Sequence, residues 1–132
     1  MAGSDWTDKR PMAPHLQIWK WHWTMAASIF HRASGIALYV GAIIFTAMLI
    51  ATASGPAAFE TAMGLLLSIP GRIVLLGITG AVMFHLANGI KYLMWDGPSI
   101  GFSPKVASTV AAFNVVFAVI ATAAIWAAAY FL

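Results

Sequence analysis

Residues 33–59, ASGIALYVGAIIFTAMLIATASGPAAF, contain no charged side chain. Two further runs share that property. Residues 73–90 hold one ionisable group, His85, and residues 106–132 again carry no charge. A helix needs about 20 mostly apolar residues to cross a bilayer, and each run meets or approaches that length. Composition agrees: 61% of the 132 residues are hydrophobic and 8% are charged, whereas soluble domains are usually about 25% charged. A soluble protein of this size has too little interior to hide so much apolar surface, so the solvent is lipid. The expected fold is an all-α membrane protein with three transmembrane helices.

The punctuation between the runs sets the expected bounds. Ser54-Gly55-Pro56 ends the first run, Ile69-Pro70-Gly71 precedes the second, and Gly97-Pro98-Ser99 with Pro104 separates the second from the third. Proline and glycine there read as loops, giving helices over about residues 24–53, 71–95 and 106–131 within one unit, residues 24–132. Trp19, Trp21 and Trp23 precede the first helix. Tryptophan concentrates at membrane interfaces, so residues 1–23 form a cytoplasmic and interfacial segment, kept out of a long helix by Pro11 and Pro14. The mixed first thirty residues, with Asp5, Asp8, Lys9, Arg10 and Lys20, do not read as a secretory signal.

Charge fixes the expected orientation. Three crossings put the N-terminal segment and the second loop on one side, with Lys9, Arg10, Lys20, Arg32, Lys91 and Lys105. The other side has Arg72 alone. Basic residues are retained inside, so the N-terminus is expected in the cytoplasm and the C-terminus in the periplasm. A net charge of +3 spread along the chain does not suggest nucleic acid. With no cysteine, disulfides and thiolate metal sites are excluded.

Two polar stripes interrupt the apolar helices. Ser28, His31, Arg32 and Gly35 follow i, i+3, i+4, i+7 spacing and share one helix face. Such a face near lipid reads as a polar pocket. Separately, Arg32 can snorkel to headgroups and Ser28 can bond to its own helix backbone. His85, Asn88, Gly89, Tyr92 and Asp96 form the second stripe. His85 lies about 20 Å from Arg72 and about 9 Å from Lys91 along a helix, inside the hydrocarbon. An imidazole there is either an axial ligand for haem iron or a structural histidine bonded to a neighbouring helix. One histidine gives one ligand, so a bis-histidine haem needs a second from another chain. Asn88 and Tyr92 can fix hydrogen bonds in a pocket, and Gly89 lets another body approach the backbone. Asp96 is as well explained by a solvated loop charge. Arg72 reads as an interfacial anchor, and His15 and His22 as surface or subunit-contact residues. The Ala-rich third helix, with Asn114 and Thr122 as its few polar residues, reads as structural, joining a bundle that a partner subunit completes. No phosphate loop, hydrolytic constellation, metal cluster or intramembrane acidic pair is visible, so the chain alone has no evident active site.

The blocks RPMAPHLQIW (residues 10–19) and SIFHRASG (residues 28–35) resemble one signature of the succinate dehydrogenase cytochrome b subunits, and HLANGIKYLMWD (residues 85–96) resembles the second. The pattern is closest to the mitochondrial and alphaproteobacterial branch and runs over about residues 9–132. The resemblance implies a bacterial inner-membrane anchor, non-catalytic alone, of a complex that oxidises succinate at a flavoprotein subunit. Electrons then pass through an iron–sulfur subunit to ubiquinone, in a pocket shared with two anchors that hold haem b between them. By position, it makes Ser28 and Arg32 quinone-binding, His31 and Arg32 neighbours of the haem propionates, and His85 the axial ligand, with the other ligand from the second anchor subunit. The chain departs from the family in having Lys91-Tyr92 where Arg-His is usual, and Trp19 where Tyr is frequent. Lysine keeps the charge but loses the bidentate fork.

Three other readings compete. A haem-free structural anchor that binds quinone would leave His85 to packing. A di-haem cytochrome needs four membrane histidines, and only His85 is well inside. A small transporter subunit would need a mid-membrane carboxylate, which the chain lacks.

Overall fold

Proline has no N–H to give and a fixed φ, so it suits the first turn of a helix, where N–H groups have no partner. Among the described residues, three of the four helices begin this way. In the computed structural model, residues 21–131 are described, and the chain order is α1 (Trp23–Ala53), α2 (Pro56–Leu67), α3 (Ile69–Asp96) and α4 (Pro104–Phe131). The N-terminal block with Lys9, Arg10, Pro11, Pro14, His15, Trp19 and Lys20 lies outside the described residues. α1, α3 and α4 are each long and apolar enough to cross a membrane. At 1.5 Å per residue, even the 28-residue helices extend about 42 Å, more than the roughly 30 Å of hydrocarbon.

α2 stands where the sequence predicts only a loop between the first two spanning helices. Gly55 takes φ 109°, a left-handed value that turns the chain, and Pro56 then starts a 12-residue helix. That helix extends about 18 Å, too short to span. Ile69 and Pro70, expected to precede a helix beginning near residue 71, join Gly71 in the first turn of α3, where the Ser68 hydroxyl accepts from the Gly71 N–H at 3.3 Å. The α2–α3 corner is tight. A Cβ at Gly71 would collide with the carbonyl oxygens of Leu65 and Leu66, so only glycine fits.

The packing inverts that of a water-soluble protein. The buried residues are small or polar: Ala27, Ala107, Ala111 and Ala118, with Ser34, Asn88, Lys91 and Asn114. Large apolar side chains such as Ile36, Phe45, Leu93 and Phe113 point outward. In lipid there is no drive to bury a leucine, and small residues let helix backbones approach closely. On α4, Ala107, Ala111, Asn114 and Ala118 form one stripe at i, i+4, i+7, i+11. α3 is the central helix, packed on both α4 and α1. Trp126 Nε1 donates to Thr79 Oγ1 across the α3–α4 contact at 3.3 Å. A Cβ at Gly41 would come 3.1 Å from Ile78, so α1 and α3 are close at mid-height.

Candidate functional site

The two polar stripes meet where α1 crosses α3. His31 and His85 stack with ring centroids 4.0 Å apart and planes 18° apart. Ser34, one turn beyond His31, joins them. Its Oγ donates to the His31 carbonyl at 2.7 Å and lies 3.0 Å from His85 Nδ1. Gly35 leaves room for the ring: a Cβ there would sit 3.4 Å from His85 Cε1. His31 Nε2 is buried and has no hydrogen-bond partner, a costly state for a polar atom away from water.

A file of rings runs from this pair toward the α3–α4 loop. Tyr92 lies 5.2 Å from His31, Trp95 lies 5.4 Å from Tyr92 in an edge contact, and Phe102 stacks on Trp95 at 5.3 Å. Gly101, at φ 87°, brings the loop back against the Trp95 indole. Lys91 is only 6% exposed. Its ammonium lies 4.4 Å from the Tyr92 ring centre and 4.9 Å from that of Trp95. The negative faces of the two rings offset part of the cost of removing the charge from water.

The remaining sequence candidates divide. Ser28 is half-buried and Arg32 exposed, and Arg32 Nε reaches back to the Ser28 carbonyl at 3.4 Å. Neither joins the histidine pair. Asn88 is fully buried, with its amide nitrogen on the Phe84 carbonyl at 3.0 Å and its Oδ1 unpartnered. Asp96 and His22 are exposed. At Gly89 an added Cβ would meet nothing, so that side of α3 is open. Ser34 received no role from the sequence. Its spacing of i+3 from His31 was the available signal, but a serine on an apolar helix usually bonds to its own backbone. Beside the pair, an open apolar groove of about 770 Å³ lies between α1, α3 and α4, lined by residues including Phe30, Ala33, Ser34, Phe84 and Val115. Among the described residues, no group of three or more His, Cys, Asp or Glu side chains is placed to hold a metal ion. The arrangement offers imidazole nitrogen, a hydroxyl and two cations near one end of the bundle.

Sequence comparison places the chain among known proteins. Residues 7–125 match the family described as succinate dehydrogenase/fumarate reductase transmembrane subunit. The chain is 34% identical over 114 residues to the succinate dehydrogenase cytochrome b556 subunit of Paracoccus denitrificans, covering 84% of this chain and 88% of that one. To the cytochrome b556 subunit of Rickettsia felis it is 32% identical over 119 residues, covering 90% and 92%. To the mitochondrial cytochrome b560 subunit of Sus scrofa it is 38% identical over 94 residues, covering 66% of this chain and 53% of the relative. It thus spans about half the length of that mitochondrial relative. Three long apolar helices and a match over most of the sequence lead to one assignment: the chain belongs to the succinate dehydrogenase/fumarate reductase transmembrane subunit family.

Proposed function

We propose that this chain anchors a succinate dehydrogenase to a bacterial inner membrane, gives His85 as one axial ligand to a haem b shared with a second anchor subunit, and forms part of a ubiquinone-reduction site through Ser28 and Arg32. The carrying observation is the stacked His31–His85 pair inside a membrane-anchor fold whose relatives are named cytochrome b subunits. The flavoprotein and iron–sulfur subunits would complete the complex on the cytoplasmic side, which holds the N-terminus, while the C-terminus is periplasmic.

The residues fit an iron porphyrin. His85 uses Nδ1 toward Ser34, which leaves its other ring nitrogen for a metal. The stacked His31 covers a face of the ring, whereas a metal bond lies in the ring plane. The orphaned His31 Nε2 suits a donor to a propionate carboxylate, and the exposed Arg32 can form a bidentate pair with one. When bound, haem supplies a centre that takes up and returns one electron. At the quinone site, Ser28 donates its hydroxyl to a carbonyl oxygen, and Arg32 stabilises negative charge growing on that oxygen before protons arrive.

The haem-free anchor is supported by a different feature: His85 is already hydrogen-bonded and stacked within the chain. A dithionite-reduced minus oxidised spectrum of the detergent-purified complex separates the two readings. The expected result is a b-type band in the wild type that is absent in His85→Ala. A wild-type complex that reduces quinone with succinate yet has no such band would establish the haem-free anchor instead.

A further inference from the structure

We infer that Ser34 is a positioning residue for the iron ligand: its hydroxyl holds the His85 ring proton on Nδ1, so that Nε2 is the atom presented to haem iron. This rests on the haem reading above. The argument counts protons. The Ser34 hydroxyl has one hydrogen and two close polar neighbours, the His31 carbonyl oxygen at 2.7 Å and His85 Nδ1 at 3.0 Å. A carbonyl oxygen only accepts. If the hydroxyl gave its hydrogen to Nδ1, two oxygens would face each other at 2.7 Å with no hydrogen between them, which is repulsive. The hydrogen therefore goes to the carbonyl, and Nδ1 must be the donor to Oγ. A neutral imidazole has one N–H, so the lone pair is on Nε2.

Two further features hold the ring in that setting. Ser34 is 8% exposed, so water does not compete freely for its hydroxyl. Gly35 brings the α1 backbone against the Nδ1–Cε1 edge of the ring. Flipping the ring would set a carbon against the hydroxyl and forfeit the hydrogen bond. Donation from Nδ1 also raises the basicity of Nε2, as outer-shell partners of metal-bound histidines do. A more basic nitrogen favours ferric over ferrous iron.

The test compares wild-type complex with Ser34→Ala, Ser34→Thr and His85→Ala by haem content per assembled complex and by redox titration of the b band. Ser34→Ala is expected to retain haem about tenfold less tightly and to raise the midpoint potential. A tenfold loss of ferric-over-ferrous preference corresponds to about 59 mV for a one-electron couple. Ser34→Thr keeps the hydroxyl, and its methyl has the adjoining groove to occupy, so it restores both values. A residue that only packed would not move the potential. Wild-type haem content and potential in Ser34→Ala, with haem lost in His85→Ala, would overturn the role of Ser34 and leave the haem reading intact. A Ser34→Thr complex that assembles but behaves like a haem-depleted one would also overturn it. A b band that persists in His85→Ala would remove the haem reading, and this role with it.

Discussion

At Gly35 the size of the side chain decides whether an imidazole fits. A Cβ there would touch His85 Cε1 at 3.4 Å, an ordinary contact distance, but a branched side chain would enter the ring's volume. Gly35→Ala should therefore assemble with near-normal haem content. Gly35→Val should destabilise the complex by about 1–3 kcal/mol, the usual cost of overpacking, and lose haem. Thermal unfolding and the reduced-minus-oxidised band measure the two effects. Arg32 is the opposite case, an exposed guanidinium whose one side-chain bond among the described residues is a long one to its own helix. Its removal should leave folding unchanged. If it stabilises charge on a quinone, Arg32→Ala should lower succinate-to-quinone turnover roughly a hundredfold, while succinate oxidation with an artificial acceptor upstream of quinone stays normal. Equal loss in both assays would place Arg32 in assembly instead.

The helices themselves were readable because a bilayer demands long uncharged runs, and this chain has three of them. Their starts were less readable. Pro56, Pro70 and Pro104 read as loop in the sequence, yet each sits in the first turn of a helix, where a missing N–H costs nothing. α2 is hidden in the sequence for the same reason: a Gly-Pro pair can end one helix and begin the next. The α2–α3 corner yields a sharp contrast among glycines. Gly71→Ala places a methyl on two backbone carbonyls that cannot rotate away, and should sharply reduce the amount of assembled complex. At Gly64 and Gly77 an added Cβ meets nothing. Alanine at either should be neutral or stabilise its helix by about 0.5–1 kcal/mol. A Gly71→Ala complex as abundant and heat-stable as Gly77→Ala would show that the corner relaxes.

On the scale of the molecule, the described residues put apolar bulk outside and small or polar groups inside. This is the order expected where lipid covers the outer surface. The proposed orientation places six basic residues on the cytoplasmic side and one opposite. Because the chain has no cysteine, single cysteines report sidedness without background. Ser99→Cys, in the α3–α4 loop, should react with an impermeant maleimide only after the cytoplasmic face is opened. Ser54→Cys, between α1 and α2, should react from the periplasm in intact cells. The reverse pattern would invert the topology and place the proposed quinone site on the other face.

The sequence by itself determined that the chain lives in a membrane, that three of its helices are long enough to cross, and which side chains are polar among the apolar. Each of these depends on composition and order along one segment, which a linear reading captures. It also grouped Ser28, His31, Arg32 and Gly35 on one face, because 3.6 residues per turn fixes angles within a helix. It did not decide how that helix is rotated against its neighbour. Only the tertiary structure turned His31, Ser34 and Gly35 toward His85 and left Arg32 exposed. It also settled Lys91 over Tyr92 and Trp95. Ser34 and His85 are 51 positions apart, and no periodicity links residues on separate helices. Their contact follows from how closely Gly35, Gly41 and the alanines of α4 allow three backbones to approach.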